Sequence, residues 1–246
     1  PLNDHDLLSA DLVVVDEFSM VDMRLAYILL DRVKPGAQLI IVGDADQLPS
    51  VGAGNVLREM IRSEKIPTAV LETVFRQASN SRIITNAYAI NHNDTHLQYG
   101  SDFQMLEVQN SEEAAQLVIK NYLQEVSQHG IEDVQILSPF RKRGAVSSNA
   151  LNDTIRDLVN PPSSLKKEVT CGSRVFRVGD RIMQTANRID VSNGDVGIIT
   201  DMEEEDDETV VCVKLLDGRT IQYKQEMLED LEFSYCTTIH KSQGQE

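Results

Sequence analysis

Leu12-Val13-Val14-Val15-Asp16-Glu17-Phe18-Ser19-Met20 is a short apolar run that ends abruptly in two carboxylates. Aliphatic residues in a row, without alternation, predict a strand covered on both faces, as in a parallel sheet. In such sheets ligands sit just beyond the carboxyl ends of the strands, where Asp16 and Glu17 fall. There one carboxylate can hold Mg²⁺ as a hard oxygen ligand, and its neighbour can take the proton of a water attacking a phosphate. The same pair could instead cap the helix that follows.

Outward from this stretch, Met23, Ala26, Tyr27, Leu30 and Val33 recur at helical spacing, and Lys34-Pro35-Gly36 ends that helix. Residues 38–42 predict a second buried strand, stopping at Gly43-Asp44-Ala45-Asp46-Gln47-Leu48-Pro49. Strand, helix, strand is a βαβ unit, whose right-handed crossover makes the strands neighbours or near neighbours. Both polar strand ends then face one crevice. Val51-Gly52-Ala53-Gly54 opens a helix through Met60, and residues 68–71 are expected as a further strand. Next comes Glu72-Thr73-Val74-Phe75-Arg76-Gln77, an aromatic beside an arginine.

Residues 79–100 predict a helix running into a loop. His92 and His96 have metal-ligand spacing with Asp94 between them, but Asn91, Asn93 and Asp94 favour a turn and no third ligand is near. Residues 103–108 predict a strand, and Asn110 with Glu113 a capping box opening a helix through Gln128. Residues 134–137 form another buried-strand pattern, ending at Ser138-Pro139-Phe140 and the basic cluster Arg141-Lys142-Arg143, before a helix to about Val159. This repeats the earlier logic and predicts a second α/β domain.

Pro161-Pro162-Ser163-Ser164 reads as a linker. Short β-type runs at 174–178, 181–185, 196–200, 209–215 and 220–223, with turn signals at Asn193-Gly194-Asp195 and Asp217-Gly218, predict a small barrel of SH3 type. The acidic run at 203–208 is expected as the exposed tip of a hairpin between strands ending near Met202 and starting near Thr209. From Phe233 the chain returns to α/β character, so the barrel is expected as an insertion.

A chain of 246 residues suffices for one large or two modest domains with a sizeable core. No apolar run approaches the roughly 18 residues that span a bilayer. The first residues lack a basic segment followed by an apolar one, so a cytoplasmic protein without membrane contact is expected. Cys171, Cys212 and Cys236 form no C-x-x-C pair and predict neither a disulfide framework nor a zinc site, only three reduced, buried thiols. The net charge of −16 argues against broad nonspecific nucleic-acid binding, yet leaves room for a local basic groove at Arg141. Pro1 is not an initiator methionine, so a piece of a longer protein is expected.

The ordered series DEFSM at Asp16, GDADQLPSVGAG at Gly43, LETVFRQ at Leu71, SPFRKRG at Ser138, GDRIMQTAN at Gly179, NGDVGII at Asn193 and TTIHKSQGQE at Thr237 resembles superfamily-1 DNA helicases of the RecD type. That group includes the alpha subunit of exonuclease V and its stand-alone relatives. The resemblance covers nearly the whole chain. It implies an α/β fold of two RecA-like parallel-sheet domains, the first partial, with an inserted small SH3-like β-barrel. The boundaries it implies are 1–70 for the first domain, 71–160 for the first part of the second, 161–230 for the barrel and 231–246 for the continued second domain.

By this resemblance Asp16 holds Mg²⁺ and Glu17 is the base that orients the attacking water. Gln47 senses the terminal phosphate, Phe75 lies near the adenine, and Arg76 is an arginine finger aimed at charge developing on the transferred phosphoryl group. Read from the residues alone, Gln47 could be a capping amide, Phe75 core filler and Arg76 half of a surface ion pair. Thr238, His240, Lys241 and Ser242 match the single-stranded DNA track, Gly244 the approach to the terminal phosphate, and Glu246 the ribose contact. Hydroxyls and lysine are the residue types that contact phosphates without reading sequence. His240 could instead be a satisfied core histidine. Arg141, also assigned to DNA, could be one of three exposed charges without a role.

The family implies ATP and Mg²⁺ as cofactors, ATP binding between the two RecA-like domains, 5′ to 3′ travel on single-stranded DNA, and a setting in DNA recombination and repair, with other exonuclease V subunits as partners. A P-loop, G-x-x-x-x-G-K-[ST], is absent from these 246 residues, as is the arginine motif that the family places after the last one matched. Without that cradle the chain by itself is expected neither to bind ATP tightly nor to hydrolyse it. Two other readings are a noncatalytic DNA-binding or assembly module, and the helicase part of a conjugative relaxase.

Overall fold

The computed structural model describes residues 6–71, 81–205 and 208–243. The chain divides into two compact units, Pro1–Glu107 and Val108–Glu246. The division falls later than residue 70.

In the first unit β1 (Leu12–Val15) and β2 (Gln38–Ile41) pair in parallel, Leu12 opposite Gln38 and Val15 opposite Ile41. α1 (Met23–Arg32) connects them, and the Asp22 carboxylate caps it by accepting the Leu25 N–H at 2.8 Å. α2 (Val56–Arg62) completes a small core with Phe18, Val21, Ala26, Val56 and Leu57. The expectation of strands covered on both faces needs correction. Val13 and Val15 are half-buried, whereas Leu12, Val14, Ile40 and Val42 remain about half exposed among the described residues. Among the described residues, the cluster that packs against Val15 and Ile41 comes from the turn at 18–21, α1, Ala45 and α2. The helix stripe shifts too: Ala26 and Leu29 face the core, while Met23, Tyr27 and Leu30 are exposed.

Residues 68–71 are not a strand, and Val70 and Leu71 lie exposed. α3 (Arg82–Asn91) starts at Ser81, whose hydroxyl accepts the Ile83 N–H. It ends in the turn that the asparagines favour: Asn93 is at φ 58°, His92 stacks on Tyr88, and Asp94 accepts from His96. Residues 103–108 are not a strand either, since Phe103 makes only an isolated bridge to Gly100. No group of three metal-ligating side chains occurs among the described residues.

The second unit opens with α4 (Ser111–His129). Asn110 accepts the Glu113 N–H at 2.9 Å, and the Glu113 carboxylate reaches back to Gln109 N–H at 2.7 Å, a capping box displaced by one residue. β3 (Ile136–Ser138) and α5 (Ser148–Val159) follow. The barrel region holds the hairpin β4 (Glu168–Cys171) and β5 (Arg174–Arg177), then β6 (Arg181–Gln184), β7 (Val196–Glu205), β8 (Glu208–Leu215), β9 (Thr220–Tyr223) and β10 (Leu231–Phe233). The last five form an antiparallel sheet in the order β10-β6-β7-β8-β9. Gly218, at φ 91°, makes the turn between β8 and β9 that the Asp-Gly pair announced. Phe176, Ile182, Ile199, Val211, Val213, Tyr223, Leu228 and Leu231 bury themselves as one core.

The acidic run is less of a loop than expected. β7 and β8 continue into it, pairing Glu203 with Val210 and Glu204 with Thr209, and its tip at 206–207 lies outside the described residues. After the barrel, β11 (Cys236–Thr238) pairs in parallel with β3, Cys236 opposite Ile136 and Thr238 opposite Ser138, and α6 (Ile239–Ser242) follows. Asn152 of α5 bonds the backbone of Cys236 in both directions. The barrel is thus inserted between two parts of one parallel α/β layer.

The junction is polar and buried. Asp180, before β6, is fully enclosed and accepts from Arg156 Nε at 3.0 Å and Nη2 at 2.8 Å, from Asn160 Nδ2 at 2.7 Å, from the Arg177 N–H at 2.8 Å and from the Tyr235 hydroxyl at 3.3 Å. The Arg156 guanidinium also lies 4.3 Å over the Phe233 ring. Of the three cysteines only Cys236 is buried, and its enclosure pushes the thiol up to about 12. Cys171 and Cys212 are half-buried. Among the described residues no helix is long and apolar enough to cross a membrane.

Candidate nucleotide and nucleic-acid sites

Asp16 and Glu17 follow β1 at its carboxyl end, beside the end of β2. Val42 N–H donates to Val15 O at 2.8 Å and Phe18 N–H to Val42 O at 2.9 Å, so the two strand ends stay together beyond the ladder. Gly43 is needed at this approach. A Cβ on it would stand 3.0 Å from Phe18 N and Leu57 Cδ2 and 3.1 Å from Ser19 N. The segment Asp44–Gln47 therefore starts next to the carboxylate pair, with Asp46 N–H on the Asp44 carboxylate and Arg58 Nη2 on Ala45 O at 2.7 Å.

Glu17 sits at φ 50°, ψ 39°, a left-handed conformation uncommon for a side-chain-bearing residue, and makes no cap bond to the 3-10 turn that follows. Asp22, not the Asp16-Glu17 pair, caps α1. The helix-cap alternative is accordingly the weaker one. Asp16 is exposed; its Oδ1 accepts the Glu17 N–H at 2.8 Å, and Oδ2 makes no hydrogen bond among the described residues. One exposed carboxylate with a free oxygen fits the way Mg²⁺ is held, by one or two carboxylates together with waters and substrate phosphates. Gln47 is exposed and its side chain makes no hydrogen bond among the described residues, so it caps nothing there. Phe75, Arg76, Gly244 and Glu246 lie outside the described residues.

In the second unit Thr238 ends β11, and its hydroxyl accepts the Lys241 N–H at 3.4 Å, capping α6. His240 is exposed, which excludes the buried, satisfied histidine. The Ser242 hydroxyl donates to Ile239 O at 2.8 Å. Arg141, just after β3, and Lys241, on α6, are brought together by the parallel pairing of β3 with β11. Both meet one carboxylate that sequence reasoning missed: Arg141 Nη2 lies 2.6 Å from Glu232 Oε1 and Lys241 Nζ 2.8 Å from Oε2. Partial burial works against ionisation of Glu232, and the Lys241 and Arg141 cations outweigh it, holding its carboxyl below the ordinary value. No local signal announces this, because Glu232 lies on β10 of the inserted barrel. Lys142 and Arg143 are exposed.

A family model described as an AAA domain matches residues 3–112, and one described as the SH3 domain of ATP-dependent RecD-like DNA helicases matches residues 151–213. The ATP-dependent RecD2 DNA helicase of Deinococcus radiodurans is 31% identical over 96% of this chain. These matches bear out the resemblance of the chain to RecD-type helicases. The RecBCD enzyme subunit RecD of Mycolicibacterium smegmatis is 26% identical over 96% of the chain, and a probable conjugal transfer protein TraA of Sinorhizobium fredii is 28% identical over 94%. The chain spans 31% of the RecD2 helicase, 44% of that RecD subunit and 21% of that TraA. Within a RecD-like chain, the first unit carries the carboxylate pair and the second carries the Thr238–Ser242 segment.

Proposed function

We propose that these residues are the water-activating and strand-holding part of an ATP-driven DNA helicase that moves 5′ to 3′ on single-stranded DNA in recombination and repair. The observation that carries the reading is the carboxylate pair at the end of β1, with Glu17 in a left-handed backbone and free of capping duty. Asp16 offers the carboxylate for Mg²⁺, which when bound neutralises charge on the phosphates. Glu17 accepts the proton of the attacking water. Gln47 contacts the terminal phosphate, Arg76 faces the charge that develops on it, Phe75 lies along the adenine, and Gly244 and Glu246 complete the contacts to phosphate and ribose. Thr238, His240, Lys241, Ser242 and Arg141 hold the strand by its backbone. The family of the M. smegmatis relative supports other exonuclease V subunits as partners.

A second reading is the motor part of a conjugative relaxase, favoured by the TraA relative along 94% of the chain. A His-rich nicking domain elsewhere in the whole protein separates it from the first.

The test is magnesium-dependent ATP turnover. The 246 residues alone are expected to show none, because they carry no P-loop. In the whole protein, Glu17→Gln is expected to lower turnover by roughly 10² to 10⁴ with ATP binding retained, the scale of a lost general base. Turnover by the chain alone, or an unaffected Glu17→Gln protein, contradicts the proposal.

A further inference from the structure

Arg141 and Lys241 reach Glu232 from the carboxyl ends of two neighbouring parallel strands, at 2.6 and 2.8 Å, one on each carboxylate oxygen. The carboxylate itself is a third exposed and arrives from the edge strand β10, which among the described residues pairs only with β6. A carboxylate gripped by an arginine and a lysine has the charge and the two acceptor oxygens of a backbone phosphodiester. Lys142 and Arg143, both exposed, follow Arg141 in the chain, and exposed His240 precedes Lys241. In a chain of net charge −16, local cations left unpaired are what a nucleic-acid backbone requires, and Glu232 pairs with two of them, cancelling half of their charge.

We propose that Arg141 and Lys241 form a two-cation site for one backbone phosphate of single-stranded DNA, and that Glu232 is its built-in competitor, occupying the site until a strand displaces it. This rests on the assignment of the Thr238–Ser242 segment to the DNA track. Since Glu232 belongs to the barrel, strand binding releases the contact of β10 with both cations. The barrel then reports whether the track is filled. The carboxylate also sets a threshold: weak or isolated anions fail to displace it, while a strand anchored by several other contacts succeeds.

The experiment is fluorescence anisotropy of a short labelled oligothymidylate with the 246-residue chain across a salt series. Glu232→Gln keeps the shape and removes the charge. It is expected to tighten binding roughly three- to thirtyfold and to steepen the salt dependence by about 0.7 in log–log slope, one further phosphate contact. Glu226→Gln, an exposed charge in the same unit, controls for net charge and is expected to leave binding unchanged. Arg141→Ala and Lys241→Ala are expected to weaken it. An unchanged or weakened Glu232→Gln protein, with both alanine variants weakened, overturns the competitor role and leaves the track assignment standing. An equal gain from Glu226→Gln also overturns the competitor role. Alanine variants that bind like the parent overturn the track assignment itself.

Discussion

Glu17 occupies a backbone conformation that costs an L-residue about 1 kcal/mol or more, and no cap bond offsets it. Such strain fits a residue kept for its carboxylate rather than for stability. Glu17→Gly is expected to raise the unfolding free energy by about 0.5–1 kcal/mol, read from the urea midpoint of the first unit's transition. A loss of similar size would show that the side chain has a structural duty instead. At this scale the sequence was partly legible. Asp16 and Glu17 announce themselves because two carboxylates end an apolar run, and Gln47 because it follows a strand that stops at a glycine. Glu232 was illegible: its meaning comes from Arg141 and Lys241, and only the pairing of β3 with β11 brings those two to it.

The elements divide in the same way. β1, α1 and β2 were read from periodicity and turn residues alone, because each has its own length and stop signals. The segments 68–71 and 103–108 have strand-like composition but pair in no ladder among the described residues, and a short apolar run carries no information about what pairs with it. The exposed face of Leu12, Val14, Ile40 and Val42 is not legible for a related reason: composition states what an element can bury, not what is present to cover it. The insertion of the barrel was legible as a return of α/β character at Phe233, whereas the device that fixes it was not. Asp180 gathers Arg156, Asn160, Arg177 and Tyr235 from distant positions into a buried network. Asp180→Ala leaves the Arg156 cation nine-tenths enclosed without its partner. It is expected to cost about 3–5 kcal/mol in the second unit's denaturant-unfolding free energy. A cost near zero would mean that apolar packing alone holds the barrel.

At the scale of the molecule, the order of the motifs was the most informative feature, more than any one of them. Composition gave the opposite impression: a net charge of −16 reads as a poor nucleic-acid binder until the cations are located. The two units keep separate chemistry, carboxylates at the end of β1 in the first and a basic strand end with a short capped helix in the second. The proposed function makes both parts of a helicase, and what the chain itself can be asked is whether its second unit holds a strand. The most direct measurement is the affinity of the 246-residue chain for single-stranded DNA over a salt series, with Thr238→Ala and His240→Ala combined. The account predicts weaker binding, to a similar degree for oligonucleotides of different base composition, because these residues meet the backbone and not the bases. Affinity and salt dependence indistinguishable from the unaltered chain would contradict it.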